Sequence, residues 1–220
     1  MDHGANLCKP EANIDFGDYW LEIHESFVRQ SRDRKDDIKV VFIGASIVQN
    51  WSAEGLHIWR QYYAPKGAVN YGIGGDTIQN VLWRVQNKSL DGLDPRVIVL
   101  QCGANNLLTS YDSVSDDDIA RGICAIINEL SSRLPNANIL CVGITPINDR
   151  NFLGRAKRVN ELVANKANER NILFLDLIPK MCDSSNGQPI GRLFTDGLHL
   201  TRQGYDVWHE AMQPLFERLY

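Results

Sequence analysis

Long apolar runs are missing from this 220-residue chain. None approaches the roughly 18 residues that a membrane-crossing helix needs, and Met1 to Asn13 has no apolar signal core. Cysteine is sparse too: Cys8, Cys102, Cys124, Cys141 and Cys182 are odd in number, widely spaced and without a C-x-x-C pair. That spacing suggests neither a disulfide framework nor a zinc site, and the expectation is a soluble, cytoplasmic protein. A basic surplus is also lacking. With 23 Lys and Arg against 27 Asp and Glu, the net charge of -4 offers no grip on a phosphate backbone, so nucleic acid is not an expected partner. No Walker A pattern exists, and no internal repeat or low-complexity segment appears.

What is present is ordinary for a globular chain, with 44% hydrophobic and 23% charged residues, enough to bury one core without staples. Residues 1–17 scatter Gly, Pro, Asn and Asp without period and read as a loosely held N-terminal arm; 18–220 read as a single domain. Strands are expected at Val40 to Ile43, Gly67 to Tyr71, Val97 to Gln101, Ile139 to Gly143 and Ile172 to Leu175. Helical spacing lies between them. Trp20, Ile23 and Phe27 share a face before the first strand, with a charged link from Arg29 to Asp37. Thr77 to Gln86, Ser115 to Arg133, Arg150 to Arg170 and Thr201 to the end carry further stripes. In the last, the apolar side is Tyr205, Trp208, Met212, Leu215 and Leu219, with a bend expected at Pro214. Alternation of strands and helices predicts an α/β three-layer sandwich around a parallel sheet of about five strands, in the flavodoxin-like order 2-1-3-4-5.

In such a sheet the residues after each strand share one edge, where chemistry assembles. Gly44 and Ala45 end the first strand and leave Ser46 exposed at its carboxyl end. The second strand runs into Gly72, Ile73, Gly74, Gly75, Asp76 and Thr77, whose glycines let backbone N–H groups approach a ligand. A dinucleotide fingerprint fails here, because Thr77 stands where its last glycine belongs. After the third strand come Gly103, Ala104, Asn105 and Asn106, and an Asn amide beside a serine can donate to a bound oxygen. Asp196 lies three residues before His199 across a Gly-containing turn, so its carboxylate can accept the Nδ1 proton and aim Nε2 outward as a base. The other histidines, His3, His24, His57 and His209, read as surface or core. The Asp116 to Asp118 run reads as a helix start capped by Ser115 rather than as a metal site.

Taken together, Gly44 to Ser46, Gly72 to Thr77, Gly103 to Asn106 and Asp196 to His199 resemble the four signature blocks of the SGNH, or GDSL-type, hydrolases. From about Trp20 onward the wording is similar to the catalytic alpha subunits of intracellular type I platelet-activating-factor acetylhydrolases. Ile58-Trp59-Arg60, Pro65, Asn70 to Thr77, Val81 to Arg84, Leu198 to Thr201 and Pro214-Leu215 carry that likeness. The resemblance implies Ser46 as nucleophile, His199 as general base and then acid, and Asp196 as its orienting partner. It implies an oxyanion hole made by the Ser46 and Gly75 backbone N–H groups and the Asn105 side chain. Gly75 is preferred to Gly74 because the family's donor glycine immediately precedes the Asp-Thr pair. Ile47, Ala104 and Leu198 flank these positions and are expected to line a small acyl pocket.

The implied reaction is hydrolysis of short-chain, acetyl, esters through an acyl-enzyme, with no metal or organic cofactor. Platelet-activating-factor-like phospholipids are the implied substrates, and acetylated carbohydrates are the alternative. A homodimer and a WD-repeat regulatory partner are implied as well. The chain departs from the family in one place: Ala45 replaces the Asp that precedes the serine. That replacement is expected to lower activity, or to favour a weakly active or inactive partner-binding subunit.

Overall fold

A computed structural model describes residues 6–109, 113–168 and 172–220. Five parallel strands, β1 (Val40–Gly44), β2 (Ala68–Gly72), β3 (Val97–Gln101), β4 (Asn138–Val142) and β5 (Leu173–Leu175), form one sheet in the order 2-1-3-4-5. This is the topology the alternating pattern predicts. Each boundary lies within a residue of its expected place. The register sets Gly44 of β1 opposite Gly72 of β2 and Gln101 of β3, so three strand ends meet in one row.

Helices cover both faces. They are α1 (Gly17–Asp33), α2 (Ser46–Gln49), α3 (Leu56–Ile58), α4 (Ile78–Gln86), α5 (Ala104–Thr109), α6 (Asp116–Arg133), α7 (Arg150–Asn168), α8 (Ile178–Met181) and α9 (Arg202–Leu219). Successive strand residues point to opposite faces, so each strand feeds two cores. Val41, Ile43, Ile98, Leu100, Ile139 and Cys141 pack with α4, α6 and α7 on one side. Val40, Phe42, Val97, Val99, Leu140 and Val142 pack with α9 and the Ile47 to Trp51 segment on the other. Cys102 and Cys141 are core residues, as their strand-like contexts suggest.

Helix starts follow the expected chemistry. Thr77 caps α4 in a reciprocal box with Asn80, and Ser115 does the same for α6 with Asp118. Asp116 pairs with Arg155 of α7. Among the described residues no group of three or more His, Cys, Asp or Glu is placed to hold a metal, and no helix is long and apolar enough to cross a membrane.

Three details differ from expectation. Helix α1 continues through the charged stretch to Asp33, because that stretch contains no Gly or Pro to stop it. In α9 the fully buried side chains are Tyr205, Trp208, Met212 and Phe216, while Leu215 is half-buried. That helix runs unbroken through Pro214; the Glu210 carbonyl left without a donor is on an exposed residue, where water can reach it. The third difference is the arm. Residues 6–16 are anchored rather than loose: Leu7 joins the core, Asn13 is buried, and Asn80 Nδ2 donates to the Glu11 carbonyl at 2.9 Å. One leucine and a few hydrogen bonds leave no period in a sequence. Residues 1–5 lie outside the described residues, as do 169 and 170 at the end of the third expected helix.

The far end of α9 is fastened as well. Asn138 Nδ2 donates to the Leu219 carbonyl at 2.9 Å, and the Tyr220 ring lies 4.5 Å from Lys66 Nζ and 5.2 Å from Arg96 Cζ. Helix α9 therefore spans the sheet from its carboxyl edge to its amino edge.

Candidate active site

Ser46 opens α2 directly after β1. Gly44 makes this turn possible: a Cβ there would sit 1.9 Å from the Gln101 carbonyl oxygen and 2.6 Å from Val48 Cγ2. Only a residue without a side chain lets β1, β3 and the serine turn come this close. From the helix layer Tyr205 Oη donates to the Ile47 carbonyl at 2.6 Å. The serine turn is thus pinned by α9.

His199 arrives from the loop just before α9. Phe194 and Leu200 form an antiparallel bridge, and the Thr195 N–H donates to the His199 carbonyl at 2.8 Å, closing a tight turn. Within it Asp196 Oδ1 accepts the N–H groups of Leu198 (3.0 Å) and His199 (2.8 Å), and Oδ2 lies 2.7 Å from His199 Nδ1. These hydrogen bonds, that of His199 Nδ1 first, hold the Asp196 carboxyl down to about 2. The carboxylate is thus ionised, and the imidazole carries its proton on Nδ1. His199 Nε2, left as acceptor, lies 3.0 Å from Ser46 Oγ. An unbroken chain from hydroxyl to imidazole to carboxylate results.

Opposite this chain lies the glycine loop. Gly74 donates its N–H to Gln49 Oε1 at 2.9 Å, whereas the Gly75 N–H makes no hydrogen bond to a described residue. Gly75 has φ +80°, a left-handed conformation that a residue with a Cβ adopts at a cost. Asn105 Nδ2 donates to the Asp76 carbonyl at 2.8 Å, which fixes its amide plane and leaves the second amide hydrogen free. Asn106, its neighbour, is instead structural: Oδ1 accepts the Ile78 N–H at 2.9 Å, and Nδ2 donates to Gln79 Oε1 at 2.9 Å.

Beneath the loop is a buried ion pair that the sequence reading did not single out. Arg84 and Asp76 are both fully buried, with Arg84 Nε 2.8 Å from Asp76 Oδ2 and Trp20 Nε1 2.6 Å from Oδ1. Burial pushes the Asp76 carboxyl up, and the Arg84 charge with the Trp20 and Asn13 donors opposes it. The available signal was Arg84 itself, a charge on the face shared by Val81 and Val85. Gln49 was missed as well; nothing in its spacing marks it.

The three residues expected to line an acyl pocket come from both layers and from the loop between them. Ile47 is buried in the layer beside α9, Ala104 belongs to the opposite layer, and half-buried Leu198 packs against both. Two further histidines have polar partners, His57 with Asp206 (2.7 Å) and His209 with Tyr63 Oη (2.8 Å); in neither is a serine the partner. Burial raises the Cys102 thiol to about 12, so it is no nucleophile at neutral pH.

Comparison with known proteins matches residues 42–207 to the GDSL-like Lipase/Acylhydrolase family. The bovine (Bos taurus) platelet-activating factor acetylhydrolase IB subunit alpha1 is 35% identical over 99% of this chain and 91% of its own length. A GDSL-like lipase from Bacteroides thetaiotaomicron superposes with a TM-score of 0.71 at 18% identity, over 90% of this chain and all of the lipase. An acetylxylan esterase from Geobacillus stearothermophilus, a catalytic mutant, superposes with a TM-score of 0.61 at 18% identity, over 80% of this chain and 93% of the esterase. The family match covers the serine turn, both intervening loops and the Asp-His turn, and the chain belongs to the GDSL-type acylhydrolases.

Proposed function

We propose that this acylhydrolase is a serine esterase for acetyl esters, with Ser46 as nucleophile, His199 as general base and acid, and Asp196 as its orienting carboxylate. The observation that carries this reading is the hydrogen-bonded chain Ser46 Oγ to His199 Nε2 (3.0 Å) and His199 Nδ1 to Asp196 (2.7 Å). As Oγ attacks the ester carbonyl, its proton passes to Nε2 and an O–C bond forms. The carbonyl oxygen becomes an oxyanion, met by the N–H groups of Ser46 and Gly75 and the free amide hydrogen of Asn105. Collapse breaks the bond to the alcohol, which leaves with the proton from Nε2. Water then repeats the sequence on the acyl-enzyme, releasing acetate and restoring Ser46. Base assistance is typically worth about 10² to 10⁴ in rate, and each oxyanion donor about 10² to 10³.

Acetyl-bearing phospholipids of the platelet-activating-factor type are the proposed substrates, supported by the 35% identity to the bovine subunit over nearly the whole chain. Ile47, Ala104 and Leu198 are proposed to limit the acyl group, with Leu198 as the movable wall because it alone is half-exposed between the two layers. The test is a matched ester series from acetyl to octanoyl, with the Ser46→Ala variant alongside. Rapid acetyl turnover that falls by about 10⁴ or more in the variant is expected. Equal, negligible turnover by both proteins would favour a partner-binding subunit. Faster cleavage of acetylated xylooligosaccharides than of acetyl phospholipids would move the substrate to carbohydrate. By the same relationship the chain is proposed to pair as a homodimer that engages a WD-repeat protein. A monomer in light scattering at all concentrations would exclude the pairing.

A further inference from the structure

Three segments must hold fixed spacing for the proposed chemistry: the end of β1 that carries Ser46, the glycine loop after β2, and the start of α5 with Asn105. One side chain reaches the first two directly and the third through one intermediary. Arg84 donates from Nη2 to the Gly44 carbonyl at 2.9 Å and from Nη1 to the Tyr71 carbonyl at 2.8 Å, and its Nε donates to Asp76 Oδ2 at 2.8 Å. Asp76 follows Gly75 directly, and its own carbonyl accepts the Asn105 amide at 2.8 Å. Trp20 of α1 closes the cluster by donating to Asp76 Oδ1 at 2.6 Å.

We propose that Arg84 and Asp76 are the positioning pair of the oxyanion hole, setting the Gly75 N–H and the Asn105 amide relative to Ser46. A guanidinium suits this role because its donors project from one rigid plane. Two strand ends and a loop that share it cannot drift independently. Mere space-filling would not call for a charge here, since a buried ion pair is often no more stable than apolar residues of the same volume. The donors fall on those segments whose relative placement the oxyanion requires. Neither residue touches the reacting atoms; both act through Gly75 and Asn105.

The proposal rests on the esterase reading for its catalytic consequence but not for its structural one, and the test separates them. In ¹⁵N-labelled protein, Arg84→Lys is expected to shift the Gly75 amide and the Asn105 side-chain amide signals and speed the exchange of the latter, with the His199 ring signals unmoved. In the same variant kcat should fall about 10²-fold with KM within about twofold, as for loss of one oxyanion donor. Combined with Asn105→Ala, the same substitution should cost less than about tenfold, because part of what it positions is gone. If Arg84→Lys does not fold, Trp20→Phe keeps the charge and removes one donor to Asp76; the same signals should move less, with kcat down severalfold. Unchanged Gly75 and Asn105 signals in a folded variant would overturn the proposal, as would full additivity with Asn105→Ala. A wild-type protein that cleaves no ester would instead remove the esterase reading, and the amide signals would still decide whether Arg84 sets this geometry.

Discussion

Asp76 and Asp196 stand on opposite sides of Ser46 and are held in opposite ways. Asp196 has its side chain 54% exposed and is engaged by residues two and three positions along; Asp76 is fully buried, with Trp20 reaching it from 56 positions away. The first is a local device, a turn that makes its own geometry. The second is tertiary, and exists only when three segments have already met. The difference teaches that one side of this site can fail chemically while the fold stands, whereas the other cannot lose its charge pair without disturbing the molecule.

The largest effect should come from the exposed side. Asp196→Asn can no longer hold the imidazole proton on Nδ1, and kcat is expected to fall by about 10⁴. Its thermal midpoint should stay close to that of the wild type, because the side chain faces water; a large drop measured by calorimetry would break the comparison. The buried side should show the reverse emphasis. Asp76→Ala strands the Arg84 charge, a change typically worth about 3 to 5 kcal/mol of stability, read from urea unfolding.

Acid sharpens the contrast. His24 stacks against Trp20, and burial with the nearby Arg84 charge lowers its pKa to about 4 from an ordinary 6.5. Unfolded chains bind that proton more readily, so stability present above about pH 6.5 should decline between pH 6.5 and 4, by up to about 3 kcal/mol. His24→Gln should flatten this part of the unfolding profile. Over the same range Asp196, lowered to about 2, stays ionised and adds little pH dependence of its own. The smallest effect belongs to Ala45, which is 8% exposed at the serine turn. Ala45→Asp supplies the acceptor that the family carries there and is expected to raise kcat/KM by about tenfold, the worth of one charge-assisted hydrogen bond. No change in kcat/KM would show that the turn is already satisfied.

The same contrast explains what could be read from residues alone. The Asp196 to His199 spacing, the serine after an apolar strand and the strand order are short-range or periodic signals. Ser46 and His199 are 153 positions apart, yet each announced itself locally. The Trp20, Asp76 and Arg84 cluster had no such signature; its hint was a charge among the apolar positions of α4, and Trp20 looked like one more core aromatic. Ile47 and Ala104 hold the same offset beyond the paired strand ends Gly44 and Gln101, yet α2 and α5 carry them into different layers, which sequence position alone does not reveal. The anchoring of Leu7 was invisible for the same reason as the ion pair: its partners lie far along the chain.

Helix α9, fastened at both ends of the sheet, also orders events during synthesis. Every strand leaves the ribosome before it, so the sheet face carrying Val40, Phe42, Val97 and Val99, covered in part by Ile47, Trp51 and Tyr63, is not closed until Tyr205, Trp208, Met212 and Phe216 emerge. A nascent chain at that stage holds Ser46 without His199 and leaves part of an apolar face open to chaperones or to other chains. Closing the face and bringing His199 to Ser46 are one event, since the turn with His199 leads straight into the helix that completes the cover.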